Sequence, residues 1–554
     1  MKAPALATLL LGPVLCVALG WPGAESRGII AEEIQPYLPR WPHVLERTPA
    51  GIVAMPPYEP GAPAGPRWVA TSEWPVVGYD GVARSWPVLI KGYQSALGSW
   101  VGIVLGPLLG GGVAGVRRSN VLLTAALVAL TVLLGTRLRG SSNGAALGGL
   151  VLASSYGLLF IGRTGYGFEI ASRAAMMATL VLAAAPKVVS RRRAGAIGAV
   201  AGVAILCRAP VIVILAPALA MLLLTRHRRP SPATLGIVGG AAVAVPLSAL
   251  AASVLLAPLR ADTRALGSLD LTDLPHRLAG VFDQLRLQLA WLTDATSVTT
   301  PLYGGQLQFA TGALTLAATG AFASLCAALY RSARGRATEA ERIFAVATLT
   351  SALLGAALYG DPHQFQLALA LEPLLALAVA AQVAALPHRS MRWSVAAVVL
   401  AFRAQVWIGS LAPEAANLNP MLSAKAQRAA VARLLALGLH GPEILTTSYQ
   451  HAGVVEAWSE GRVQPNHAWP IFLYARTSRD LVWRQLLAAQ RPRYLLLTEG
   501  PNIFETPGLE PKAISDALAR VAQEDGLHLV LDERFLTEGG GPGWVLWQVA
   551  TPTP

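Results

Sequence analysis

The stretch that decides the fold is Leu97-Gly98-Ser99-Trp100-Val101-Gly102-Ile103-Val104-Leu105-Gly106-Pro107-Leu108-Leu109-Gly110-Gly111-Gly112-Val113-Ala114. It is as apolar as a membrane span, and whether it crosses sets the side of every loop that follows. If it crosses, Arg117 and Arg118 fall inside, and the clusters at 191–193, 226–229 and 331–336 fall outside. If it dips in or lies along the surface, Arg137, Arg139, 187–193, 226–229, 331–336 and 388–392 all fall on the cytoplasmic side, as the bias of Lys and Arg towards inner loops requires. Gly106, Pro107 and Gly110 to Gly112 also make it a poor straight helix. The non-crossing reading is therefore the expectation.

Outward from this point, runs of about 20 apolar residues lie near 4–20, 119–136, 144–161, 170–186, 194–208, 210–225, 232–257, 307–330, 342–359, 364–386 and 393–410. The expected fold class is an α-helical polytopic membrane protein of about eleven transmembrane helices with a C-terminal extracytoplasmic α/β domain. Long outer loops cover 21–118 and 258–306, and the chain after 410 is also outside. The expected division is a membrane module over 1–410 and an α/β domain over 411–554. Short outer turns lie at 162–169, around Arg208 and at 360–363.

Composition agrees. Of 554 residues, 54 % are hydrophobic and only 14 % charged, against about 25 % charged in an average soluble domain. That excludes a soluble globular protein and a disordered one. The net charge of +13 reads as topology, because the arginines cluster between apolar runs, and no nucleic-acid partner is expected. The three cysteines, Cys16, Cys207 and Cys326, form neither a disulfide framework nor a metal motif. The apolar start after Lys2 reads as a retained first helix rather than a cleaved signal.

The tail is of another kind. A helix is expected near 423–437, strands at Ile444–Tyr449, Tyr494–Thr498, Leu527–Asp532 and Trp544–Val549, and a helix near 512–524. Strands interleaved with amphipathic helices make a small α/β domain.

Candidate chemistry gathers on the outer side. Glu32 and Glu33 follow the first helix, where a carboxylate can take a proton from a hydroxyl at the interface; otherwise the pair is a solvated turn. In the turn Ile161-Gly162-Arg163-Thr164-Gly165-Tyr166-Gly167-Phe168-Glu169, glycines let a ligand approach the backbone. Glu169 and Arg173 are also spaced to neutralise each other at i, i+4. Lys91 and Arg208 suit a lipid phosphate, or else snorkel to headgroups. Glu372 and Arg403, at depths of ~12 Å and ~10 Å in the last two helices, are expected to pair, since unpaired charges there are expensive. His363 stands in an outer turn where it can touch substrate or solvent. His451 and His467 belong to the tail.

In this order the motifs resemble the GT-C glycosyltransferases, in the branch of the protein O-mannosyltransferases and lipid A aminoarabinose transferases. The resemblance rests on Glu32-Glu33 after the first helix, the Lys-bearing segment Trp86 to Ser95, and Arg118-Ser119 at the second helix. Arg163 with Glu169, and Gly202 to Pro210, complete it. It covers residues 1–225 best. The sequence departs in carrying Glu-Glu where many relatives have an Asp, and Glu where the second acid is commonly Asp, which leaves the choice of base open.

The resemblance implies an inverting transfer of sugar from a polyprenyl-phosphate donor to an acceptor on the outer face. Glu32 or Glu33 is then the base, with Glu169 orienting it or the acceptor. Lys91, with Arg163 or Arg208, then stabilises the departing phosphate. No cofactor is required, though two facing acids can hold a divalent metal weakly. The acceptor is a protein, lipid or polysaccharide. The high Ala, Arg and Gly content suggests a bacterial plasma (inner) membrane. A non-catalytic envelope protein of the same fold and a secondary transporter are the alternatives; against the transporter, no two matching halves are visible.

Overall fold

The structure, a computed structural model, describes residues 3–24, 28, 52–55, 67–70, 89–91, 94–95, 97–138, 142–163, 167–186, 189–226, 231–256, 274–282, 285, 288–289, 310–359, 370–416, 423–441, 443–446, 449–463, 465–467, 487, 491–499 and 519–550. Glu32, Glu33 and His363 lie outside the described residues.

The deciding stretch is broken, as its glycines and proline require. Helix α2 (Leu97–Leu105) gives way to a 3-10 turn, Gly106–Leu109. Gly110, Gly111 and Gly112 then all take left-handed φ (107°, 67° and 51°) before helix α3, Gly112–Arg137, begins. Side chains other than glycine rarely adopt that backbone. The two arms fold together so closely that a Cβ on Gly115 would collide with the Gly106 carbonyl. Helix α2 packs on α3 and on α6 (Gly167–Ala183).

Helix α1 (Ala3–Gly20) lies against α3 and against α4 (Ser142–Ala153). The run expected as one span over 144–161 is two helices: α4 and α5 (Tyr156–Arg163) meet at a 59° bend. The cause is local. Ser155 Oγ accepts from Leu158 N, capping the new helix, while the Ser154 carbonyl accepts from the Trp407 indole at 2.9 Å. Side chains that take up backbone groups are a standard origin of kinks.

The bundle continues through α6, α7 (Arg191–Cys207), α8 (Ile212–Arg226), α9 (Pro232–Leu256), α10 (Ala310–Ala333), α11 (Glu339–Tyr359), α12 (Glu372–Ala384) and α13 (Arg389–Ala416). Gly198 and Gly202 let α7 and α9 approach so closely that a Cβ at either would strike the α9 backbone at Val238 or Ala242, the small-residue packing of membrane helices. The buried core runs through Leu127, Tyr156, Phe160, Met177, Ile214, Phe344 and Leu374. Leu11, Val14, Val243, Leu247 and Val398 point outward, as apolar side chains do when the solvent is lipid. Among the described residues, Gly112–Arg137, Pro232–Ala249 and Glu339–Ala357 are long and apolar enough to cross a membrane, and the bent α4–α5 pair makes a fourth.

The basic clusters gather at one end of the bundle. Arg137 donates to Val181 O at 2.6 Å, and Arg193 donates to the carbonyls of Leu182, Ala183 and Ala185, closing the C-terminus of α6. Cations suit that end of a helix. Arg331 pairs with Glu341 at 2.7 Å, and Glu341 also accepts from Thr338 N in a capping box.

Beyond α13, helix α14 (Ala424–Ala436) begins where the sequence places a helix. Between α2 and the first helix, β1 (Ile52–Met55) pairs with β2 (Arg67–Ala70), and β3 (Leu89–Lys91) pairs with β4 (Gln94–Ser95). A five-stranded mixed sheet in the order β6-β5-β7-β9-β8 completes the tail. Strand β5 (Ile444–Thr446) is parallel to β6 (Asn466–His467) and to β7 (Tyr494–Thr498), while β9 (Pro542–Ala550) runs antiparallel to β7 and β8 (His528–Leu536). The strand expected to reach Tyr449 stops at Thr446, because Tyr449 opens helix α15 (Tyr449–Trp458). Val113 and Val116 of α3 join the sheet's core with Ala430, Leu434, Val454, Leu496, Phe535 and Trp544. The sheet therefore sits at the α3 end opposite Arg137.

Candidate active site

That end of the bundle carries the charged residues that the basic clusters do not account for. Glu169 stands in the first turn of α6 and Arg173 one turn later. Arg208 terminates α7 in extended conformation, held off the helix by the Ala209-Pro210 turn. Ser172 Oγ donates to Ala204 O at 2.9 Å, which fixes the head of α6 beside the end of α7. The result is a contact at 2.5 Å between Arg208 Nη1 and Glu169 Oε1. The other oxygen, Oε2, faces Arg173 Nη2 at 3.6 Å, an ion contact too long for a hydrogen bond. Glu169 is thus shared between Arg208 and Arg173, its neighbour at i, i+4.

Arg173 also lies in the field of Glu372 at the start of α12. Glu372 Oε1 faces Arg403 Nη2 at 3.7 Å and hydrogen-bonds Ser155 at the α4–α5 break. Glu372 and Arg403 pair as their depth requires. The charges alternate, Arg208–Glu169–Arg173–Glu372–Arg403, across four helices, and every one of these side chains is nearly closed to solvent. Three cations against two anions leave an excess of positive charge among these groups, the character wanted around an oxyanion.

Arg163, the last residue of α5, is buried over Tyr156 and Trp407, at 5.9 Å and 5.4 Å from the ring centroids. Tyr156 and Trp407 meet edge to face at 5.1 Å, so the rings form a fixed platform under the guanidinium. Arg117 in the first turns of α3 is fully buried and donates to the carbonyls of Ala24 (3.1 Å) and Gly28 (2.8 Å). It ties down the chain just ahead of Glu32. Arg118 donates to Leu109 O at 2.8 Å and lies over Trp21. Lys91 pairs with Gln94 through the backbone of the β3–β4 hairpin, whose strands pack on α7 and α9.

Of the residues expected from the sequence, the structure brings Glu169 and Arg208 together and sets Arg163 on its aromatic platform. Arg173 was expected only as a neutralising neighbour of Glu169, and Arg117, Ser155 and Trp407 were not expected there. Arg173 and Arg117 had a signal, since a charged residue inside an apolar helix must have a purpose. Ser155 and Trp407 had none that a sequence shows. No group of three or more His, Cys, Asp or Glu side chains able to hold a metal occurs among the described residues.

No family model matches the chain, and no curated protein matches it. Solved structures do. ArnT from Cupriavidus metallidurans bound to undecaprenyl phosphate is similar over 99 % of this chain and 98 % of its own, with a TM-score of 0.56 and 14 % identity. The chain shares the fold of this ArnT structure. ArnT in the apo state is similar over 98 % of each chain, with a TM-score of 0.55 and 14 % identity. In both comparisons the two chains are spanned almost end to end.

Proposed function

We propose that this chain is an integral-membrane glycosyltransferase that moves a sugar from a polyprenyl-phosphate donor to an acceptor on the outer face of the membrane, with inversion. The observation that carries this reading is the full-length likeness to ArnT, one of whose structures holds undecaprenyl phosphate. The excess of buried arginine at the bundle end remote from the basic clusters supports it. Inner loops collect cations, so that end is outer, about eleven helices cross a plasma (inner) membrane, and the tail domain from 411 is extracytoplasmic.

In this mechanism Glu32 or Glu33 takes the proton of the acceptor hydroxyl, whose oxygen attacks the anomeric carbon. The bond from that carbon to the phosphate oxygen breaks, and the polyprenyl phosphate leaves with the electron pair. Arg208, with Arg163 and Lys91, stabilises the charge that develops on the phosphate. Glu169 orients Arg208, and His363 lies near the acceptor. The chemistry needs no metal or other cofactor. The acceptor, whether protein, lipid or polysaccharide, is selected by the first outer loop and the tail.

The test is release of labelled hexose from polyprenyl-phosphate hexose in liposomes containing the purified chain and an envelope extract as acceptor source. Turnover is expected. No turnover with several donor sugars would favour a non-catalytic envelope protein of the same fold, and sugar movement without transfer would favour a transporter.

A further inference from the structure

The tail meets the membrane module across a cleft that the proposed mechanism leaves unused. Its volume is about 310 Å³, with Gly110, Gly111 and Gly112 on one side and Arg428, Trp458 and Glu460 on the other. That is the low end of the range for small-molecule sites, about 300–1,000 Å³. The glycines belong to the fold-back that opens α3, and the other side to α14 and the exit of α15. Val113 and Val116, next along α3, are buried in the core of the tail, which holds the two sides together.

The glycine side is a flat floor. At Gly111 an added Cβ would meet nothing within 4 Å, so bare backbone faces open space. Its polar groups are used within the turn: Gly111 N donates to Gly106 O at 2.9 Å, and the Gly111 carbonyl accepts from Gly115 N at 2.7 Å. Recognition therefore falls to the side chains opposite. The Trp458 indole donates to Gln427 Oε1 at 2.7 Å, which sets the ring, and the Arg428 guanidinium lies over it at 4.4 Å from the centroid. Glu460 is exposed and left-handed, with φ at 53°. Its carboxylate reaches the floor, since a Cβ on Gly112 would lie 3.3 Å from Oε1. A glutamate is strained in that backbone where a glycine would not be, and such strain gathers at functional positions.

This lining selects by chemistry. It carries one cation and one anion, so a phosphate is repelled by Glu460 and a cationic ligand by Arg428. A hydroxyl donates to the carboxylate and accepts from the guanidinium, both charge-assisted bonds. A ring bearing several hydroxyls satisfies both at once and lays its C–H face on the glycines. An extended peptide needs free backbone groups, and those of Gly111 are already used. We propose that the cleft is a subsite for a neutral sugar ring of the acceptor, held by Glu460 and Arg428 over the glycine floor. Its place fits an acceptor. Arg117, about 8 Å along α3 from Gly112 at 1.5 Å per residue, ties down the chain that leads to Glu32 and Glu33. The subsite rests on the proposed function only for calling the saccharide an acceptor, and it narrows the acceptor to one that already carries sugar.

The experiment measures binding to the full chain in detergent micelles by equilibrium dialysis. The probes are short neutral oligosaccharides released from an envelope extract and labelled at the reducing end, a labelled Gly-Ser peptide, and undecaprenyl phosphate. The wild type should bind oligosaccharide. Glu460→Gln and Arg428→Gln should each weaken it about 10-fold, as loss of a hydrogen bond to a charged group does. Glu460→Gly should weaken it as much, yet unfold at no lower temperature than the wild type, because it relieves the left-handed strain. Undecaprenyl phosphate should bind all four proteins within about twofold, as expected of a separate site.

A wild type that binds no oligosaccharide, or variants that bind it equally well, would overturn the subsite. A Glu460-dependent preference for the peptide would overturn it too, and make the cleft a peptide groove. So would variants that lose undecaprenyl phosphate together with the oligosaccharide, since Glu460 and Arg428 would then support the fold at large. Oligosaccharide binding that depends on Glu460, in a chain that releases no hexose from any donor, would instead overturn the proposed function and leave the saccharide subsite standing.

Discussion

Arg208 and Glu169 meet at 2.5 Å where the end of α7 passes the head of α6. The pair is built by helix ends, since Glu169 belongs to a first turn and Arg208 to a residue that has just left its helix. Chain ends of this kind can move a side chain without unwinding a helix, which suits a cation that must reach a substrate. Replacing Arg208 by Gln should lower sugar release about 10²- to 10³-fold, the cost of losing one preorganised donor at a developing oxyanion. Arg208→Lys should recover only part of this, because an ammonium lacks the planar fork. Initial rates of hexose release from liposomes check both.

Arg117 makes a second prediction. Its bonds to the carbonyls of Ala24 and Gly28 fasten the chain leading to Glu32. Arg117→Met should leave two buried carbonyls short of a partner, at about 1–3 kcal/mol each. Hydrogen exchange around residues 24–28 should rise in the variant while exchange in α6 and α7 stays slow. Equal exchange in both proteins would show that the bonds do not restrain this segment.

The Glu372–Arg403 contact is buried on both sides. Removing one partner, as in Glu372→Leu or Arg403→Leu, should cost about 3–5 kcal/mol of stability, whereas removing both should cost much less than the sum. A double-variant cycle on unfolding midpoints in detergent measures this. Additive losses would mean that the two groups do not depend on each other.

In the tail, His451 is 1 % exposed and packs edge to face on Trp544 at 5.3 Å. Burial pushes its pKa down to about 4 from the ordinary value of 6.5. The unfolded chain therefore binds more protons between those values, so stability is full above pH 6.5 and falls as pH drops towards 4. At pH 5 the loss should be about 2 kcal/mol relative to pH 7 from this group. His451→Phe should flatten that part of the stability profile, as followed by tryptophan emission. An unchanged acid limb would assign the dependence to other groups.

How far the sequence could be read follows from which forces are local. Three successive glycines and Pro107 break a helix wherever they stand, so the fold-back at residues 106–112 was legible. Strand β7 was legible to the residue, because its short apolar run, buried throughout, stands between Arg491-Pro492-Arg493 and Glu499-Gly500-Pro501. The bend at Ser155 was not. Serine inside an apolar run is neutral until a partner arrives, and Trp407 arrives from more than two hundred residues away. The site divides the same way. Spacing offers Arg173 to Glu169 and that pair forms, whereas the contact of Arg208 with the same carboxylate was not legible, because only the folded chain sets the end of α7 against the head of α6. Depth alone sufficed to pair Glu372 with Arg403, since few other charges lie as deep.

The most direct measurement compares hexose release from polyprenyl-phosphate hexose in liposomes by the wild type, Glu32→Gln and Glu33→Gln at equal protein. The account predicts turnover by the wild type and a loss of about 10²- to 10⁴-fold in one of the two variants, the range lost with a general base. Turnover that survives both substitutions, or none in the wild type, would contradict it.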